Sequence, residues 1–417
     1  MSEISAVKAF TQQNKGRSIW WKLHQLAGLQ FSLFLSFVFI TGTFAVMSHE
    51  IDWLLRPAMW VNPTAESDRV SWGEALDSSQ KIYPRAMISA IYAPIHSAAP
   101  FDVVLSDNGE RKHVYVHPRT GKVLGEGSWF NFHRFLRDTH RRIMIFETYK
   151  GVRIGIFLVC LTSIYLLISL ITSFWIYKKW WLGFLRFPKG KSLRAFIGDL
   201  HRWIGLWSLW FIVIMCYTGL WYLQAELISY PPYPQDEYAS DLSKTDRDKL
   251  SIGEALDLAI ANSDEIHSEF RVTHVLLQDR DRTTPLFEIQ GQSDKAILVD
   301  PRGNSVWASA ETGILVASRD ASTFGVIDRL YIANNPLHFG TFGGYITKWL
   351  WFVFGLLLSG LSVSGVYIYV SRLALQEKLS VGFDYFLKSS WKGMGYARWP
   401  ALGLTVFSFI AFPMLVL

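Results

Sequence analysis

Eleven histidines are spread unevenly along the 417 residues. His24 and His201 sit 177 positions apart in two copies of one motif, LHQLAGL (23–29) and LHRWIGL (200–206). His140 and His338 lie in THRRIM and PLHFG, each ahead of a second apolar segment. Neutral imidazole is a common transition-metal ligand, and two facing rings are the axial set of a six-coordinate haem iron. A lone histidine at a helix end is more often an interfacial side chain. Duplication outweighs that reading here, because two copies of one position approach each other across a pseudo-two-fold axis. The spacing therefore predicts two bis-histidine sites, His24 with His201 and His140 with His338, at opposite ends of one set of helices. Any haem would be non-covalent, since no CxxCH occurs.

Glycines accompany these histidines. Gly28 and Gly205 follow His24 and His201 by four residues, one turn along a helix. Gly42 and Gly219 follow by 18 residues, five turns or about 27 Å, which brings them near the other pair. Glycine makes room for a flat macrocycle, and it equally allows close helix packing; both readings stand. Arg134, Arg137, Arg141 and Arg142 flank His140. Arg141 and Arg142 would suit haem propionates or an anionic iron chelate, since arginine pairs bidentately with carboxylates. A solvated face balanced by Asp138 and Glu147 fits equally well. His133 competes with His140 for the ligand role, and His49 is a further reserve, although the other copy has Glu226 at its position. Cys160 and Cys216 stand alone in apolar segments and read as packing residues.

The elements that must position these groups follow from composition. Half the residues are hydrophobic, 15% are aromatic and only 18% are charged, against about 25% in an average soluble protein. Four stretches reach the roughly 20 apolar residues a membrane helix needs, and a fifth is marginal. The first is too long for a signal peptide, lacks a small-x-small cleavage site and has a twin later in the chain. Three short loops hold 15 of the 41 Lys and Arg, which places them in the cytoplasm. The predicted layout is a cytoplasmic N-terminus (1–19), spans at 20–48, 153–177, 201–224, 346–370 and 400–417, and cytoplasmic loops at 178–200 and 371–399. Two outer domains occupy 49–152 and 225–345. SWGEAL (71–76) and SIGEAL (251–256) carry the Ser-x-x-Glu capping-box spacing, so a helix should open each domain. YVHPRTG (115–121) and LVDPRGN (298–304) read as matching strand-then-turn signatures. The fold class is thus a polytopic α-helical membrane protein with an internally duplicated four-helix core, a C-terminal fifth span and two small α+β outer domains.

Absences narrow the function. The apolar stretches of spans two to four (154–177, 203–223 and 349–370) carry no Asp, Glu, Lys or Arg, which argues against an ion-coupled transporter. No GxGxxG follows a strand and no phosphate-binding loop occurs, so any nicotinamide or flavin would belong to a partner. The aromatic content does not suit a nucleic-acid-binding tail, and no nucleic-acid partner is expected.

The repeated LHxxxGL…TG segments, the GEAL helix openings, the HPRTG and DPRGN turns and the histidine ahead of each return helix together resemble PepSY-associated transmembrane-helix proteins over residues 15–372. Their nearest functional relatives would be inner-membrane ferric-siderophore reductases of FoxB and PiuB type. That resemblance implies two periplasmic PepSY-type domains and a helical core in a bacterial inner membrane, surrounded by lipid. It also implies b-type haem held by His24, His140, His201 and His338. Electrons from a cytoplasmic or quinol donor would pass outward to a ferric siderophore or other ferric chelate, for iron uptake. A different class of function, a haem-free scaffold whose PepSY domains bind peptides or restrain a periplasmic peptidase, is the alternative.

Overall fold

The computed structural model describes residues 18–228, 230, 232–237, 250–267, 270–278, 285–293 and 298–416. Along the chain, α1 (Ile19–Gln25) runs through a π-helical turn at Leu26–Gln30 into α2 (Ser32–Val46), and α3 (Ser48–Leu55) leads off it. Helix α4 (Trp72–Ile82) precedes strands β1 (Met87–Tyr92), β2 (Phe101–Asp107), β3 (Glu110–Val116) and β4 (Val123–Ser128). Then come α5 (Phe132–Arg142), a hairpin of β5 (Thr148–Tyr149) and β6 (Val152–Arg153), α6 (Ile154–Cys160) and α7 (Thr162–Ile176). The second half follows the same plan: α8 (Leu193–Trp207), α9 (Leu209–Leu227), β7 (Asp236–Glu237), α10 (Ile252–Ile266), β8 (Arg271–Gln278), β9 (Leu286–Gln292), β10 (Ser305–Ser309), β11 (Leu315–Arg319) and α11 (Val326–Phe339). Helices α12 (Gly344–Gln376), α13 (Phe383–Gly393) and α14 (Arg398–Val416) come last. The chain divides into a helical unit (1–47, 134–230 and 338–417) and a sheet unit (48–133 and 231–337).

In the helical unit, α6–α7 and α12 are long and apolar enough to cross a membrane. Two further segments qualify only if each bent pair is one span: residues 19–46 bend by 64° and residues 193–227 by 65°. The breaks fall at Phe31 and Ser208, the same repeat position 177 residues apart, where both backbones leave the helical region (φ −100°, ψ 8° and φ −88°, ψ 2°). Straight helices were expected here. A hydrophobicity profile registers apolar content but not the local backbone torsion that breaks a helix. The 27 Å separation along a straight axis therefore does not hold. Helix α14 lies at the expected fifth span.

In the sheet unit, the strands of the two expected outer domains share one sheet. Its nine strands form one sheet in the order β4-β3-β2-β1-β8-β9-β10-β11-β7, and the halves join where β1 and β8 pair antiparallel (Ala90 with Leu276, Ile91 with Val275). Helices α4 and α10 cover one face over a shared core that includes Leu76, Val103, Val114, Leu256, Phe287 and Val306. The physical reason is the sheet edge: apart, β1 and β8 would each be left with an unpaired edge.

The two helices clasp each other symmetrically. Gly73 N–H donates to Asp257 Oδ1 at 2.8 Å and Gly253 N–H to Asp77 Oδ1 at 3.2 Å, so each aspartate caps the other copy's helix start. Burial holds the Asp77 carboxyl above its ordinary value despite that bond. A Cβ on Gly73 would lie 2.2 Å from the Gly253 carbonyl oxygen, so nothing larger than glycine fits. Ser251 and Glu254 make the full reciprocal capping box, whereas Ser71 only accepts from Glu74 N–H.

The turn alignment also changes. The hairpin equivalent to YVHPRTG is WASAETG (307–313), not LVDPRGN. Gly121 and Gly313 have matching positive φ (65° and 68°), and the closing bonds match: Gly121 N–H to His117 O at 3.0 Å, Gly313 N–H to Ser309 O at 2.9 Å. Residues 301–303 of LVDPRGN form a 3-10 turn ahead of β10. The shared Pro-Arg pair suggested an alignment that strand pairing overrules.

Candidate functional site

Each of the four repeat-placed histidines presents the same ring edge to the protein. His140 Nδ1 lies 3.0 Å from the Val38 carbonyl oxygen, which can only accept, so Nδ1 carries the proton. His24 Nδ1 meets the Ser169 carbonyl at 3.2 Å and Thr172 Oγ1 at 3.0 Å; the Thr172 hydroxyl already donates to Ile168 O. His201 Nδ1 stands 2.8 Å from Ser364 Oγ, and that hydroxyl also bonds to Leu361 O. His338 Nδ1 stands 2.9 Å from Thr218 Oγ1, which also bonds to Ile214 O. At His140 and His24 a carbonyl oxygen makes Nδ1 the donor, while at His201 and His338 the partner is a hydroxyl that can donate or accept. Histidines that bind metals are oriented in this way.

The pairs differ in their surroundings. His140 and His338 have ring centroids 6.2 Å apart with planes 26° from parallel. Gly42 serves this pair: a Cβ there would sit 2.6 Å from His140 Cε1. Gly219 does not share that role, since its missing Cβ would meet Ser163 Cβ at 2.7 Å, a helix-packing contact of α9 on α7. At the other pair, Gly28 has open space within 4 Å and Gly205 meets only Leu361 Cδ2, at 3.9 Å. Beside His201 lies a cleft of about 390 Å³ lined by Leu193, Gly360, Val363, Ser364, Tyr367 and Phe386. The pairs thus differ, one in the close approach of its rings and the other in the cleft beside it.

Three of the arginines beside His140 gather on one carboxylate. Buried Asp138 has Arg134, Arg137 and Arg142 within 3.8, 3.2 and 3.6 Å. Arg153 grips Glu226 through Nε at 3.0 Å and through its terminal nitrogen. Exposed Arg141 makes no ion pair among the described residues. Five guanidinium groups thus face two carboxylates, leaving a local positive excess. The turn after α5 is strained, with Ile143 and Met144 at φ 46° and 57°, a conformation costing roughly 1–3 kcal/mol per residue. A Cβ on Gly155 would come within 2.1 Å of the Arg142 carbonyl oxygen, so this turn is packed tightly on the start of α6.

His133 and His49 stack on each other instead, with centroids 3.7 Å apart, and His133 Nδ1 lies 2.8 Å from Ser48 Oγ. His140, not His133, is the ring brought beside His338. Among the described residues no group of three or more His, Cys, Asp or Glu converges as a conventional metal site. The partners Val38, Thr172, Thr218 and Ser364 escaped sequence reasoning. For the last three the visible signal is a hydroxyl residue in an otherwise apolar helix, and Thr218 lies in the repeated Thr-Gly motif. No curated protein matches the chain. The family model described as the PepSY-associated TM region matches residues 21–372, most of the sequence, and this membrane-associated chain belongs to that family.

Proposed function

We propose that the protein is a transmembrane electron carrier holding non-covalent b-type haem and reducing a ferric siderophore, or another ferric chelate, on the periplasmic side. The observation that supports this most directly is the common arrangement of His24, His140, His201 and His338, each with Nδ1 within hydrogen-bond distance of a protein oxygen. His140 and His338 would hold one group and His24 and His201 the other. Bound haem would supply one-electron exchange between ferric and ferrous iron. The chain's own share is orientation, ligand basicity and exclusion of water. Donation from Nδ1–H to the Val38 and Ser169 carbonyls raises electron density on Nε2. The positive excess around Arg141 favours carboxylate groups nearby.

The reading includes a bacterial inner membrane, a cytoplasmic N-terminus, a four-helix core formed by the two bent and two long apolar segments, and a cytoplasmic or quinol electron donor. A reduced-minus-oxidised absorption spectrum of protein purified from haem-replete cells tests it. The expected result is a low-spin bis-histidine b-type spectrum with two haems per chain. A colourless preparation would sink the proposal.

A further inference from the structure

Helix α8 lends four apolar side chains, Leu193, Ile197, Leu200 and Ile204, to the cleft of about 390 Å³ beside His201. They recur at four- and three-residue steps, so they form one face of the helix. Gly360 of α12 and Phe386 of α13 belong to the other walls. Two of the polar wall residues, His201 and Ser364, bond to each other at 2.8 Å, and the Ser364 hydroxyl lies 3.1 Å from Leu361 O. The cleft thus offers an occupant mainly hydrocarbon surface. From Leu193 to Ile204 is about 16 Å of helix. That is about half the roughly 30 Å of a bilayer's hydrocarbon core, the reach of one acyl chain.

Leu193, at one end of this face, adjoins a basic segment. Residues 178–198 carry Lys178, Lys179, Arg186, Lys189, Lys191 and Arg194 and no carboxylate. All six cations are exposed, and none joins an ion pair among the described residues. Asp199, the next carboxylate along the chain, is engaged by the Arg202 guanidinium and the Lys189 N–H. A Cβ on Gly190 would lie 2.3 Å from the backbone of Ala195 and Phe196, so Lys189 and Lys191 flank the first turn of α8. The rest of the segment is pinned to the same helix. Trp203 and Trp207 each donate an indole N–H to Phe184 O at 3.3 Å, and a Cβ on Gly183 would come within 2.4 Å of Leu206 Cδ1. Leu185 (84% exposed) and Phe187 (64%) are left uncovered beside this anchor. Exposed apolar side chains interleaved with cations suit a lipid headgroup layer.

We infer that the cleft and the basic segment form a binding site for an anionic phospholipid, with one acyl chain along α8 and the phosphate at Lys189, Lys191 and Arg194. Cations without carboxylate partners favour a negative headgroup over a zwitterionic one, and the cleft favours a hydrocarbon tail. A soluble anion satisfies only the first requirement and a neutral apolar molecule only the second. Lipid that merely surrounds the helices shows no such preference. The site draws on no part of the haem reading, and His24 is not among the cleft walls.

The experiment is native mass spectrometry of the full chain in maltoside detergent, with equal amounts of phosphatidylglycerol and phosphatidylethanolamine of the same acyl length. The wild type should retain phosphatidylglycerol at least about tenfold over phosphatidylethanolamine. Lys189→Gln, Lys191→Gln and Arg194→Gln together should erase that preference and leave weak retention of both. Gly360→Leu fills the cleft, since a Cβ there meets no atom within 4 Å, and should abolish retention of both. A thermal transition for each variant separates lost binding from lost folding, and the triple-variant result stands if Gly360→Leu does not fold. The inference is overturned if the wild type shows no headgroup preference, the outcome for surrounding lipid only, or if folded variants retain lipid as it does. The haem spectrum of the same samples reports separately, so failure of one reading leaves the other legible.

Discussion

The two histidine pairs of the helical unit come from the same repeated motifs yet are finished differently. His140 and His338 face each other at 6.2 Å, and each is held by a single partner, with Gly42 pressed against His140. His24 has two partners, its neighbour Gly28 borders open space, and a cleft lies beside His201. One pair is made by close approach and the other by room. Glycine therefore does different work at the two ends: at Gly42 its missing side chain is filled by an imidazole, while at Gly28 and Gly205 it is not filled by protein.

The largest expected effects probe whether the pairs are separate sites. His338→Ala and His140→Ala should each remove the same one of two haems, and the double variant should remove no more. His201→Ala should remove the other. Haem per chain, measured by pyridine haemochrome, checks this; a loss of both haems from any single variant would merge the pairs. The next effect separates tight from roomy. Gly42→Ala forces the His140 ring to move and should cost about 1–3 kcal/mol in overpacking, with weakened retention of that haem alone. Gly28→Ala should leave both spectra unchanged, and an equal effect at the two glycines would erase the contrast. The third compares hydrogen-bond support. Thr218→Val strips His338 of its Nδ1 partner and should weaken haem retention by about 10–100-fold. Thr172→Val leaves His24 its Ser169 carbonyl and should matter much less. Haem dissociation to apomyoglobin measures both, and the reverse order would refute the assignment of partners. Gly205→Ala, with its nearest contact at 3.9 Å, should be as mild as Gly28→Ala.

Much of this was legible in sequence, for reasons that differ by element. The apolar segments, the repeat and the helix starts at Ser71 and Ser251 are local signals, and the structure has helices at each. The bends at Phe31 and Ser208 were not legible, because nothing in the side-chain pattern marks the change in torsion. The merged sheet was missed because pairing of Ile91 with Val275 joins residues that no local window contains. At the site, the four histidines stood out through duplication, while Val38 contributes a backbone carbonyl that no residue type announces. The Gly219 expectation failed because symmetry in sequence was taken for symmetry in contact, and Ser163 lies in its way.

The seam between β1 and β8 has a consequence for biogenesis. Strand β1 is synthesised well before its partner, and between them the chain must complete α6 through α9. Until β8 emerges the first half-sheet keeps one edge unpaired, and an unpaired edge makes an unfinished chain prone to aggregate.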